Sequence, residues 1–257
     1  MGPWMSFYDL HDALEQADCP VCRLTAVAAE RYLKSLLWEH VNDPGVRDQV
    51  RRAQGFCREH AWALARPGAW LGVAILMRDV LQSVLSTMDT AHFRALPSLS
   101  LRRAQEYLDP AQPSAATADL VRRLRAGAKC PACIQVERME AIYVETLVKN
   151  LLGEHGLLAA YESSDGLCLP HFRQALVRVR DEAVFDALVR AQRHVWQRMT
   201  GHLTEAICKS DCRFRDEPWG DARGAWLRGI AALSGARWAP TKTSGPLQDG
   251  ETTVPPT

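Results

Sequence analysis

Six residue positions recur in this 257-residue chain at one constant displacement of 111. Cys19-Pro20-Val21-Cys22 is followed by Gly55-Phe56-Cys57-Arg58-Glu59-His60, and Cys130-Pro131-Ala132-Cys133 by Gly166-Leu167-Cys168-Leu169-Pro170-His171. The second and third cysteines stand 35 positions apart in both, 22 to 57 and 133 to 168. Six identities at a single displacement do not arise by chance, so the chain is a tandem duplication. Its fold must accommodate three cysteines and one histidine per copy, twice over.

Soft donors at fixed intervals read first as metal ligands. A Cys-x-x-Cys where the chain enters a helix turns two thiolates towards one ion. A Cys-x-x-His opening a second helix supplies another pair on one helical face. Within each copy, a long helical hairpin would close the two pairs into a Cys3His shell. The expected ligands are Cys19, Cys22, Cys57 and His60 in the first copy, and Cys130, Cys133, Cys168 and His171 in the second. That donor set suits zinc, and a filled shell with no open position reads as structural. Two Zn2+ ions are therefore expected. Helix N-termini favour thiolate over thiol, and Pro20 and Pro131 suit a first turn, where the missing amide proton is no loss.

Two other chemistries stay open. Three cysteines and a histidine can ligate an iron–sulfur cluster, which would make this an electron-transfer protein. Cys-Pro-x-Cys at a helix start also presents reactive dithiols, although those motifs follow a strand and no strand pattern precedes Cys19 or Cys130. Cys208 and Cys212 lie outside the duplication; the simpler reading packs Cys208 in the last helix and leaves Cys212 at its frayed end. The acidic group Asp181, Glu182 and Asp186 is explained by a helix start. There is no phosphate loop, nucleophile elbow or His-Glu-x-x-His, so no catalytic residue is assigned; a metal acting as a catalytic Lewis acid stays open and would require one ligand to leave and admit water.

The hydrophobic periodicity is helical almost throughout. Ser6 is expected to cap a helix over 7–16, and Thr117 one over 118–126. Long amphipathic runs follow each Cys-Pro-x-Cys, with Leu33, Leu36 and Leu37 matched by Val144, Leu147 and Val148 on one buried stripe. Asn42-Asp43-Pro44-Gly45 breaks the first run. Copy two turns through Gly153, Gly156 and Ser163-Ser164-Asp165-Gly166. Final long helices are expected from Ala69 and from Asp181. The expected architecture is all-α: two tandem pseudo-repeats of helical hairpins, each closed by a Cys3His site, and a disordered C-terminal tail. The boundaries read as 1–95 and 117–213 for the modules, 96–116 for a linker with a short helix at 99–108, and 214–257 for a largely disordered tail carrying a weak helix over 223–233.

With 31 basic and 30 acidic residues the chain has no overall electrostatic footprint for nucleic acid. No uninterrupted apolar run reaches about 18 residues, the best stopping at Arg78-Asp79, so no membrane span is expected. The first ten residues do not read as a secretory signal, which places the chain in the cytoplasm, where eight cysteines serve better as ligands than as disulfides.

At Cys-Pro-Val-Cys-Arg, Asn42 to Arg47 and Gly55 to Trp62, the chain resembles an uncharacterised bacterial family known only as a domain of unknown function. The resemblance runs from about Phe7 to Cys212. Copy two departs from it by lacking the Asn-Asp-Pro-Gly turn and by placing Phe172-Arg173 where copy one has Ala61-Trp62. It implies a cytosolic protein of tandem Cys-rich helical modules and assigns no activity. The role that fits is a binding or scaffold module for another protein.

Overall fold

The computed structural model describes residues 3–92, 117–210 and 218–236. Among them are eleven α-helices and one 3-10 turn, and no strand. The helices are α1 (Pro3–Leu14), α2 (Pro20–Trp38), α3 (Pro44–Arg52), α4 (Arg58–Ala63), α5 (Trp70–Asp89), α6 (Ala118–Arg123), α7 (Pro131–Lys149), α8 (Leu158–Ser163), α9 (Leu169–Arg178), α10 (Glu182–Lys209) and α11 (Ala225–Ser234). The all-helical expectation therefore holds. The linker 96–116, Cys212 and the tail beyond residue 236 lie outside the described residues.

The compact units do not coincide with the two sequence copies. One unit comprises Met1–Val27 and Arg138–Thr257, the other Ala28–Glu137. The division falls inside α2 and inside α7, within one residue of the same place in each copy. Each unit thus combines the Cys-Pro-x-Cys of one copy with the Gly-x-Cys-x-x-His of the other.

Helix lengths are unequal within a copy. At 1.5 Å per residue the 19 residues of α2 run about 28 Å. The nine residues of α3 return only about 14 Å. Cys57 and His60 belong to a different unit from the first two turns of their own α2. The expectation of one self-contained cage per copy fails on this geometry.

Local signals act largely as the sequence implies. Asp43 caps α3, its carboxylate accepting from the Val46 amide at 2.8 Å, with Pro44 in the first turn. Replacing Asp43 with alanine should cost about 1 kcal/mol, the usual value of such a cap. The check is a lower denaturant midpoint at unchanged slope. Asp181 caps α10 in the same way, through Val184. Leu33, Leu36, Leu37, Val144, Leu147 and Val148 are all buried, as the stripe requires. Ser6 departs from expectation: α1 already begins at Pro3, and Ser6 is buried one turn in, its hydroxyl 3.1 Å from that of Thr146. The turn expected around residues 153–166 contains α8, whose Tyr161 is fully buried.

In the first unit α10 packs on α8 and α11, and α11 also meets α9. The helix expected at 223–233 forms as α11, where Gly229 lies close to Leu203, so residues 218–236 are part of the folded unit rather than tail. Cys208 is exposed rather than packed. In the second unit α5 packs on α3 and α6. By length and composition α5 is apolar enough to cross a membrane, because its apolar residues resume after Arg78-Asp79. Asp79 at its centre pairs with Arg47 and Arg51 of α3, at 3.2 and 3.0 Å, and these guanidiniums hold its carboxyl below the usual range against the opposing effect of burial.

Candidate metal centres

All four ligand pairs are built alike. Cys19 closes the first turn of α2 with its carbonyl, accepting from Arg23 N–H at 3.1 Å, and Cys130 does so for α7 through Ile134. Cys57 and Cys168 are the N-caps of α4 and α9, both with extended backbones. The fourth residue of each motif (Cys22, Cys133, His60, His171) then stands three positions into the helix, above the capping cysteine. Proline in the first turn of α2, α7 and α9 costs no hydrogen bond. Each pair meets the positive end of its helix, which favours thiolate.

The pairs converge in two quartets, and the pairing crosses the copies. Cys19, Cys22, Cys168 and His171 form the first; Cys57, His60, Cys130 and Cys133 form the second. In each quartet the four ligand atoms lie within 4.8 Å of one another. All eight residues expected from sequence fall in the two quartets, but the expected grouping of Cys19 and Cys22 with Cys57 and His60, and of Cys130 and Cys133 with Cys168 and His171, is replaced by exchange.

The distances approach those of a tetrahedron around one ion, with most S···N edges a few tenths of an ångström shorter. Zinc–sulfur and zinc–nitrogen bonds of ordinary length imply edges of about 3.8 Å for S···S and about 3.6 Å for S···N. In the first quartet Cys22 and Cys168 are 3.7 Å apart, and His171 Nδ1 lies 3.3, 3.4 and 3.1 Å from Cys19, Cys22 and Cys168. In the second, Cys133 and Cys57 are 3.6 Å apart, and His60 Nδ1 lies 3.1, 3.7 and 3.4 Å from Cys57, Cys130 and Cys133. A disulfide needs about 2.05 Å, so these are open thiols gathered on a point.

Crowded sulfurs demand a cation. Burial and the neighbouring Cys57 and Cys130 push the Cys133 thiol up to about 12. Cys19 is likewise driven well up by burial and by Cys168 and Cys22. Cys168 is held down to about 4 by its contacts with Cys19 and Cys22, which donate to it. In the absence of an ion the first cluster therefore keeps a proton on Cys19 while Cys168 carries charge. A divalent cation would let all of them ionise.

The first quartet has supports that sequence reasoning missed. His171 Nε2 lies 2.6 Å from Glu140, so Nδ1 is left facing the sulfurs. That is the usual way a carboxylate fixes the tautomer of a ligating histidine. The hydrogen bond to His171 holds the Glu140 carboxyl below its ordinary range. The Asp165 carboxylate accepts from the Asp18 amide at 2.8 Å, tying the two ligand-bearing loops together. Gln192 grips Leu167 at both ends, accepting from its N–H and donating to its carbonyl at 3.1 Å each, and its carbonyl also accepts from the Tyr161 hydroxyl. Gly166, at φ 65°, packs so closely on Gln192 that a Cβ would lie 3.1 Å from its amide nitrogen. One signal was available: Glu140 is a carboxylate close to the apolar stripe at 143, 144 and 147, where copy one has Ala29.

A family model matches residues 6–240. The chain belongs to the DUF6062 family, a family of unknown function. The match extends past Cys212, where the resemblance stopped, and takes in α11. A curated relative from Caldicellulosiruptor sp. (strain Rt8B.4), described as "Uncharacterized 23.9 kDa protein in xynA 3'region", is 23% identical over 195 residues, covering 76% of this chain and 83% of the relative. No solved structure matches. The DUF6062 assignment thus brings no activity with it, and the two Cys3His clusters are the chemistry this chain displays.

Proposed function

We propose that this DUF6062 protein binds two structural zinc ions, one per quartet, and serves as a scaffold or interaction module for another protein in the cytoplasm. The observation that carries the metal reading is the convergence of four ligand atoms within 4.8 Å in both quartets. Three thiolates and one imidazole match zinc in donor type and leave no position for substrate. A multi-iron cluster would spread its ligands over separate corner atoms, which the short S···S edges do not favour. Thiolate ligands also persist best in a reducing compartment. Support for a protein partner comes from α5, where Leu71, Leu81, Leu85 and Met88 are exposed along one face.

Elemental analysis of protein purified without oxygen tests the metal. The expected result is colourless protein with about two zinc ions per chain. Brown protein holding iron and sulfide would replace this reading with electron transfer, and protein containing neither metal would end it.

A further inference from the structure

The duplication makes the two quartets chemically identical, yet their surroundings differ position by position. Glu140, which orients His171, corresponds to Ala29 in the other copy, where His60 has contacts of its own. Gln192 and Tyr161, which clamp Leu167, correspond to Leu81 and Val50. The register is secure there, because buried Ala187 and Ala191 match buried Leu76 and Val80. Asp165, which ties the loops, corresponds to Gln54, whose amide donates instead to the Arg123 carbonyl at 3.3 Å.

The C-terminal part of the family match adds a fourth difference. Immediately after α11, Ala236 N–H donates to Cys22 Sγ at 3.4 Å. Gly235, at φ 88°, lies flat on the quartet, a Cβ there falling 3.6 Å from Cys22 Sγ and 3.9 Å from Cys168 Sγ. Amide donors to a ligating sulfur spread its charge and make it a poorer target for protons and competing ligands. Burial follows the same division. Cys19 and Cys168 are buried and Cys22 is partly exposed, whereas Cys57, Cys130 and Cys133 are all partly exposed.

We propose that the two centres have different jobs: Cys19, Cys22, Cys168 and His171 form a locked centre, while Cys57, His60, Cys130 and Cys133 form an exchangeable one that passes its ion to and from thiol or chelating acceptors. This rests on the metal-binding reading above. Exchange proceeds by substitution. An incoming thiol bonds to the ion as one cysteine–metal bond breaks, and its proton passes to the departing cysteine, so charge and coordination number are conserved. The partly exposed sulfurs of the second quartet allow such an approach. At the first quartet the strap of Gly235 and Ala236 lies against Cys22 and Cys168, and Glu140 holds the imidazole in place.

The test uses the full chain loaded with two zinc ions and an excess of a chromophoric chelator. The expected release is biphasic, one ion in each phase, with rates at least about tenfold apart. Stopping the reaction after the first phase and alkylating with iodoacetamide should label Cys57, Cys130 and Cys133, and leave Cys19, Cys22 and Cys168 unlabelled. Ala236→Pro, which removes the amide donor and suits the extended ψ of 153° at Gly235, and Glu140→Gln should each speed the slow phase about tenfold and leave the fast phase unchanged. Release in one phase, labels spread over both quartets, or equal acceleration of both phases by Ala236→Pro would overturn the proposal. Protein that carries no metal as purified would instead defeat the underlying reading.

Discussion

Alanine at Cys19 and Cys168 together is expected to leave a protein with one zinc ion, whereas alanine at Cys19 and Cys57 together leaves none. The first pair belongs to a single quartet, so the second substitution removes nothing further; the second pair cuts both quartets. Cages confined to each copy would give the reverse result. Stoichiometry by elemental analysis reads the difference directly, and it spans the whole metal content of the protein. The same logic applies to thermal stability. Losses from Cys19→Ala and Cys168→Ala should fall far short of additivity, because partners in one site couple strongly, while those from Cys19→Ala and Cys57→Ala should be close to additive.

Stripping both ions should have an equally large effect. Structural zinc sites contribute on the order of 10–16 kcal/mol near neutral pH, against about 5–15 kcal/mol for the whole stability of a typical domain. Each quartet also joins distant segments, Cys22 to Cys168 across 146 positions and His60 to Cys130 across 70. Chelation should therefore lower the Tm by at least about 20 °C or abolish cooperative melting, read by far-UV circular dichroism. A chelated protein with unchanged melting would sink the structural role. Acid should act in the same direction. Cys133 and Cys19, with raised affinity for protons, hold them when no ion is bound and release them when it binds. Binding therefore strengthens as pH rises and weakens as it falls, by about tenfold per pH unit for each proton taken up.

The ligand set and the helical class were legible because each depends on short-range pattern. N-cap and third-position spacing place two donors together whatever the rest of the chain does, and the stripe at Leu33, Leu36 and Leu37 buries one face of α2. The grouping of ligands was not legible. It depends on which segments pack into one unit, and identical spacing in two copies says nothing about which partner each pair meets. Supports such as Asp165 on Asp18 join residues 147 positions apart, so only the folded chain reveals them. Copy-to-copy mismatches were the usable clue, Glu140 against Ala29 above all.

The nesting of one quartet's positions inside the other's sets an order of birth. As the polypeptide leaves the ribosome, residues 57 to 133 supply a complete inner cage while Cys19 and Cys22 still wait for mates. At about 5–20 residues per second, the stretch from Cys22 to His171 takes roughly 7–30 s to emerge. The earliest thiols made are thus the last but for the tail to find their places, and a nascent chain halted between residues 133 and 168 would already hold one ion and expose two unmatched sulfurs.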